Sequence, residues 1–119
     1  MVKNAGAIEQ YAPLNVYLPV TAGGVSGDVQ KLGNHMVVYL QTDRDSADYA
    51  TCTVPGFHIQ RVSVTAEDHS GNSAVAVGDL LYLDNGVINK DATDGAPFGH
   101  ALDTISAGDT DVIRVAFGL

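Results

Sequence analysis

VAVGDLLYLDNGVINKDATDG, residues 75–95, is dense in aspartate and glycine. It sets Asp79, Asp84, Asp91 and Asp94 and three glycines around the apolar run Leu80–Leu83. Two readings compete: an acidic loop that holds a metal ion, or the turns of a small β-protein. A calcium loop of the EF-hand type needs oxygen ligands at alternating positions, a central glycine and a closing bidentate glutamate. Asp84, Asn85 and Gly86 are consecutive, and no glutamate follows Glu67. Asn85-Gly86 between two apolar runs is instead the preferred sequence of a type I′ hairpin turn, whose two central residues both need positive φ. Asp94-Gly95, leading out through Pro97, reads as a further turn. Turn chemistry is expected here, and no metal site.

Outward from this stretch, turn signals recur at short intervals: TAGG at 21–24, SGD at 26–28, LGN at 32–34, VPG at 54–56, EDHSGNS at 67–73 and SAGDTD at 106–111. The runs between them have the length and spacing of strands in a sandwich or barrel. In LNVYLPV, Leu14, Val16, Leu18 and Val20 share one face, with Asn15, Tyr17 and Pro19 on the other. Pro19 lacks an amide hydrogen, so this strand is expected to lie at an edge, or to end, near that residue. In DVIRVAF, Ile113, Val115 and Phe117 point one way and Val112, Arg114 and Ala116 the other. MVVYL (36–40) and LLYL (80–83) are apolar throughout, so both faces of each are expected to be covered, on one side by a barrel core and on the other by, for instance, a neighbouring subunit. No segment has the 3.6-residue periodicity of a helix; the nearest, Asp43–Tyr49, would make one turn at most. The expected fold is all-β: a small single-domain β-barrel or β-sandwich of short antiparallel strands over residues 14–119. Residues 1–13, MVKNAGAIEQYAP, fit no strand pattern and read as an N-terminal arm that either hangs free or orders on a partner, with Val2, Ala7, Ile8 and Tyr11 as its contact candidates.

With 119 residues, the chain is sized for one core. Fourteen acidic residues against six basic ones give a formal charge of −8, and no Lys/Arg cluster exists to attract phosphate backbones, so no direct nucleic-acid partner is expected. No apolar run approaches the roughly 20 residues that span a bilayer, and MVKNAGAIEQ lacks the apolar core of a secretory signal. The single Cys52, in ATCTV, reads as a buried small hydrophobe.

Catalytic constellations are equally sparse. His35, His58, His69 and His100 lack HxH or HExxH spacing, and zinc needs three or four converging N or S ligands. Cys52 and His58 could approach across Val-Pro-Gly, but no third orienting group is evident. Neither a GxSxG elbow nor a GxxxxGK[ST] phosphate loop occurs. No enzyme, cofactor, metal or catalytic residue is expected.

The C-terminal half carries an ordered set of elements. Gly78-Asp79 precedes an apolar strand with a tyrosine, Asn85-Gly86 turns it back, and a polar DATDG loop leads into Gly99-His100-Ala101; Gly108-Asp109 then opens the last strand. Together with LPVTAGGVSGDVQKLGNHMVVYL in the N-terminal half, this order resembles the small capsid decoration (cement) proteins of tailed phages, the DUF2190 family. The resemblance covers about residues 14–119, and its most specific residues are turn and packing residues. It implies a β-barrel-like structural protein on the exterior of a virion, made in the host cytoplasm, that binds the phage major capsid protein and stabilises the head without catalysis. It also implies a homo-oligomer, a trimer before a dimer or monomer. The alternative is a surface-exposed module whose tyrosines, such as Tyr11, Tyr17 or Tyr49, contact host glycans or another virion protein.

Overall fold

The computed structural model describes residues 14–33, 36–56 and 58–118. The arm residues Val2, Ala7, Ile8 and Tyr11, and also His35, lie outside this range. Among the described residues the chain is all-β: β1 (Asn15–Pro19), β2 (Val29–Leu32), β3 (Met36–Leu40), β4 (Tyr49–Thr53), β5 (His58–Thr65), β6 (Glu67–Asp68), β7 (Gly71–Asn72), β8 (Leu80–Asp84), β9 (Val87–Asn89), β10 (Ala96–Ala101) and β11 (Thr110–Phe117). Five strands close into a barrel in the order β10-β11-β5-β9-β8, and β1-β4-β3-β2 form a separate four-stranded sheet. Strands β6 and β7 make a small hairpin of their own. The segment 43–49 forms no helical turn; Asp45 Oδ1 accepts the backbone N–H groups of Ala47 and Tyr49 and holds it as a tight loop.

The barrel follows from period-2 alternation. Along β11, Ile113, Val115 and Phe117 are buried while Thr110, Val112 and Arg114 are exposed. Its partner β5 buries His58, Val62 and Val64 and exposes Ile59, Arg61 and Ser63. The two pair antiparallel over their whole length, from Thr110↔Thr65 to Phe117↔His58. Leu81, Leu83, Ile88 and Phe98 fill the interior from the other strands, with Phe98 and Phe117 stacked at a centroid distance of 4.6 Å. Closure uses one parallel contact, Val64↔Ile88 between β5 and β9, an exception to the antiparallel expectation. The β8–β9 hairpin turns at Asn85 (φ 49°) and Gly86 (φ 85°), both positive as a type I′ turn requires. The close approach of β10 to β11 needs Gly99, which lies beside the Ala116 carbonyl with no room for a side chain.

Strand β3 explains how sheet and barrel adhere. Val37 belongs to the barrel core and Tyr39 packs against it, whereas Val38 and Leu40 belong to a second cluster with Val20, Ala50 and Cys52. Both faces of MVVYL are therefore covered within one chain, and no neighbouring subunit is needed for it. LLYL differs: Leu81 and Leu83 are buried, while Leu80 and Tyr82 on the outer face are only half-buried. Strand β1 takes the sheet edge, as Pro19 demands, but Leu14 at its start is 55% exposed and does not join the face of Val16, Leu18 and Val20.

Candidate functional site

The outward row of the β5–β11 ribbon is the most distinctive surface. Ile59 stands opposite Ala116, Arg61 opposite Arg114, Ser63 opposite Val112 and Thr65 opposite Thr110. Ile59 is 60% exposed and Val112 50%, so apolar groups flank an adjacent pair of arginines on a chain of charge −8. Like charges directly opposite on a ladder repel. Asp103 relieves this on one side: its Oδ1 accepts from Arg114 Nη2 at 2.8 Å, and its Oδ2 accepts from Nε at 3.1 Å and from the Arg114 backbone N–H at 2.9 Å. These hydrogen bonds from the Arg114 guanidinium and backbone, and behind them the charges of Arg114 and Arg61, hold the Asp103 carboxyl down to about 2. Arg61 has no ion-pair partner within 4.0 Å among the described residues. The ribbon thus presents, among the described residues, a cation without a contact ion pair between aliphatic side chains, a surface suited to an acidic, partly apolar partner.

A second feature lies on the edge sheet. Tyr17 stacks on Tyr49 with ring centroids 4.9 Å apart, and its hydroxyl donates to Asp45. That hydrogen bond, chiefly, raises the Tyr17 pKa and lowers that of Asp45.

The third feature was not foreseen from spacing. His69, in the β6–β7 turn, faces Asp91 and Asp94 in the loop after β9, with Nδ1 3.1 Å from Asp94 Oδ2 and 3.6 Å from Asp91 Oδ2. Lys90 N–H donates to the Glu67 carbonyl at 2.9 Å, a backbone bond that lays the two loops side by side. Asp91 is positioned by its own turn: Oδ1 accepts the N–H groups of Thr93 (2.9 Å) and Asp94 (3.0 Å). Its backbone N–H donates to Oδ1 of buried Asn89, whose Nδ2 donates to Glu67 Oε2 at 3.1 Å. The Asp91 carboxylate first, then that of Asp94, raises the His69 imidazole above its ordinary 6.5.

The remaining candidates separate. Cys52 is fully buried in the sheet cluster, its Sγ 3.5 Å from the Ala50 carbonyl, and burial pushes its thiol up. His58 packs edge-on against Phe117 in the barrel, and no hydrogen bond joins it to Cys52. His100 is exposed on β10. Gly78 (φ 94°) and Gly108 (φ 83°) occupy tight turns; Asp79 Oδ2 accepts the Ala76 N–H at 2.8 Å, and the Asp109 carbonyl accepts the Ala66 N–H at 2.8 Å. Ala101 is fully buried beside them. Compared with protein-family models, curated proteins and solved structures, the chain matches none of them.

Proposed function

We propose that this chain is a structural protein of a tailed-phage virion that binds the outer surface of the head and reinforces it. The reading is carried by the ordered residue set Gly78-Asp79, Asn85-Gly86, Gly99 with Ala101, and Gly108-Asp109, through which the C-terminal half resembles the DUF2190 decoration proteins. In the fold these residues serve as turns and close contacts of a barrel, which suits a rigid clamp. The docking face in this reading is the β5–β11 ribbon, with Ile59 and Val112 as apolar anchors and Arg61 facing acidic groups of the major capsid protein. A stable interface needs about 800 Å² per partner. A smaller one per copy suffices when copies assemble as an oligomer, a trimer in this proposal, because linked binding events multiply. The remaining surface, strongly acidic, repels DNA released from neighbouring particles.

Mixing the purified protein with undecorated expanded heads and pelleting the heads tests this. Saturable uptake at a fixed stoichiometry supports it, and heads of the matching phage that take up none contradict it. The stacking of exposed Tyr17 on half-buried Tyr49, with Asp45 beside it, favours a second reading, a glycan-contacting surface, for which aromatic rings and a carboxylate are suitable groups. A glycan array with no hit removes that reading.

A further inference from the structure

We propose that His69, Asp91 and Asp94 form a binding site for a divalent transition metal of the zinc class, which pins the β6–β7 turn to the loop after β9. The three side chains each offer one ligand atom, and all of these atoms lie within 4.8 Å of one another. Ligand atoms bound to tetrahedral zinc at about 2.0–2.1 Å are roughly 3.4 Å apart. The two edges from His69 Nδ1, 3.1 Å and 3.6 Å, lie on either side of that spacing.

Independent support comes from Asp91. Its side chain is only 7% exposed, and Oδ1 is occupied by the two backbone amides of Thr93 and Asp94. Oδ2 is left without a hydrogen bond among the described residues and is aimed at His69, whose Nδ1 lies beyond hydrogen-bond length at 3.6 Å. That oxygen is open to a ligand at the edge of an otherwise buried side chain, and a cation bound there would join it to His69 and Asp94. Behind it, Asn89 fixes the Asp91 backbone and is itself fixed by Glu67, which provides the outer support that ligating carboxylates need.

The donor set defines the class of metal. One imidazole nitrogen with two carboxylate oxygens suits zinc, nickel or copper, whereas calcium and magnesium take oxygen ligands throughout. Three protein ligands leave a fourth position, and the side chains of His69 and Asp94, each 58% exposed, leave it open to water. This site does not depend on the phage-head reading: it concerns the chain alone.

The test uses the full chain stripped with EDTA and titrated with zinc chloride at neutral pH, followed by calorimetry and thermal unfolding. One saturable equivalent is expected, with Tm raised by roughly 10 °C at about 100 times Kd. Cobalt(II) in place of zinc is expected to give the intense visible absorption of a four-coordinate site. His69→Ala and Asp94→Asn should each weaken zinc binding at least about tenfold. Asp91→Asn keeps the Oδ1 acceptor for the turn and removes the Oδ2 ligand, so it should fold and bind weakly as well. His100→Ala, remote in sequence and exposed on β10, should bind as the parent does. An ion-pair role alone predicts no saturable zinc; that result, or binding unchanged in both His69→Ala and Asp94→Asn, overturns the proposal.

Discussion

A Cβ placed on Gly99 would lie 2.2 Å from the carbonyl oxygen of Ala116 on the neighbouring strand. Real side chains do not approach a carbonyl so closely, and the obstacle is backbone rather than a side chain that can rotate away. Gly99 is thus required by the closeness of β10 and β11 rather than by an unusual φ. Gly99→Ala should destabilise the fold by about 3 kcal/mol or more, measured by urea denaturation. A loss below about 1 kcal/mol would mean that the two strands can separate without cost.

The β8–β9 turn makes a different demand. Nothing lies within 4 Å of a Cβ at Gly86, yet φ is +85°, which L-residues with side chains disfavour. Gly86→Ala should cost about 1–2 kcal/mol, from backbone conformation alone. Equilibrium unfolding that returned the parental value would argue against the type I′ geometry.

Cys52 should be inert in the folded protein. It is fully buried, and burial raises its thiol above the ordinary value, so the reactive thiolate is scarce as well as shielded. Its reaction with an aromatic disulfide reagent should occur at the rate of global unfolding and accelerate sharply in denaturant. Rapid labelling under native conditions would show that the β1–β4–β3 cluster opens locally.

His58 gives the fold a defined acid sensitivity. Burial lowers its pKa below 6.5, against a smaller opposing hydrogen bond from Gln60. The unfolded chain therefore takes up a proton near pH 6.5 that the native barrel resists, and stability falls as pH drops through 6.5 toward the folded-state value. Its Nε2 has no hydrogen-bond partner among the described residues, so His58→Phe, which keeps the ring against Phe117, should be tolerated. The expected outcome is a shallower loss of stability between pH 7.5 and 5.5 than in the parent. His69 contributes a slope of opposite sign in both proteins, since its pKa is raised, so the difference between them isolates His58. Parallel pH profiles would contradict the assignment.

The legible parts of the fold are those with a local cause. DVIRVAF shows its buried face because strand side chains alternate, and β11 buries the residues that this alternation selects. Asn85-Gly86 marks a hairpin because few other pairs tolerate two positive φ values. The uniformly apolar MVVYL signals burial on both sides, but not that the same chain supplies both clusters, because that depends on where β4 and β10 pack. The parallel Val64↔Ile88 contact is a matter of topology and leaves no mark in either segment. His69 is separated by 25 residues from Asp94, and no spacing rule joins them. The Lys90–Glu67 backbone bond that brings them together involves groups every residue has. The Arg61–Arg114 face is hidden in the same way, since the pairing register alone sets the two residues opposite.

In the proposed function the β5–β11 face docks this barrel on a phage head. The most direct measurement is the number of copies bound per undecorated head at saturation, for the parent and for a variant carrying Ile59→Lys and Val112→Lys. Both positions are exposed, so the variant should keep the parental Tm. A fixed copy number is expected for the parent, and binding weakened roughly tenfold or more for the variant. No uptake of the parent protein by the heads, or equal uptake of both proteins, would contradict it.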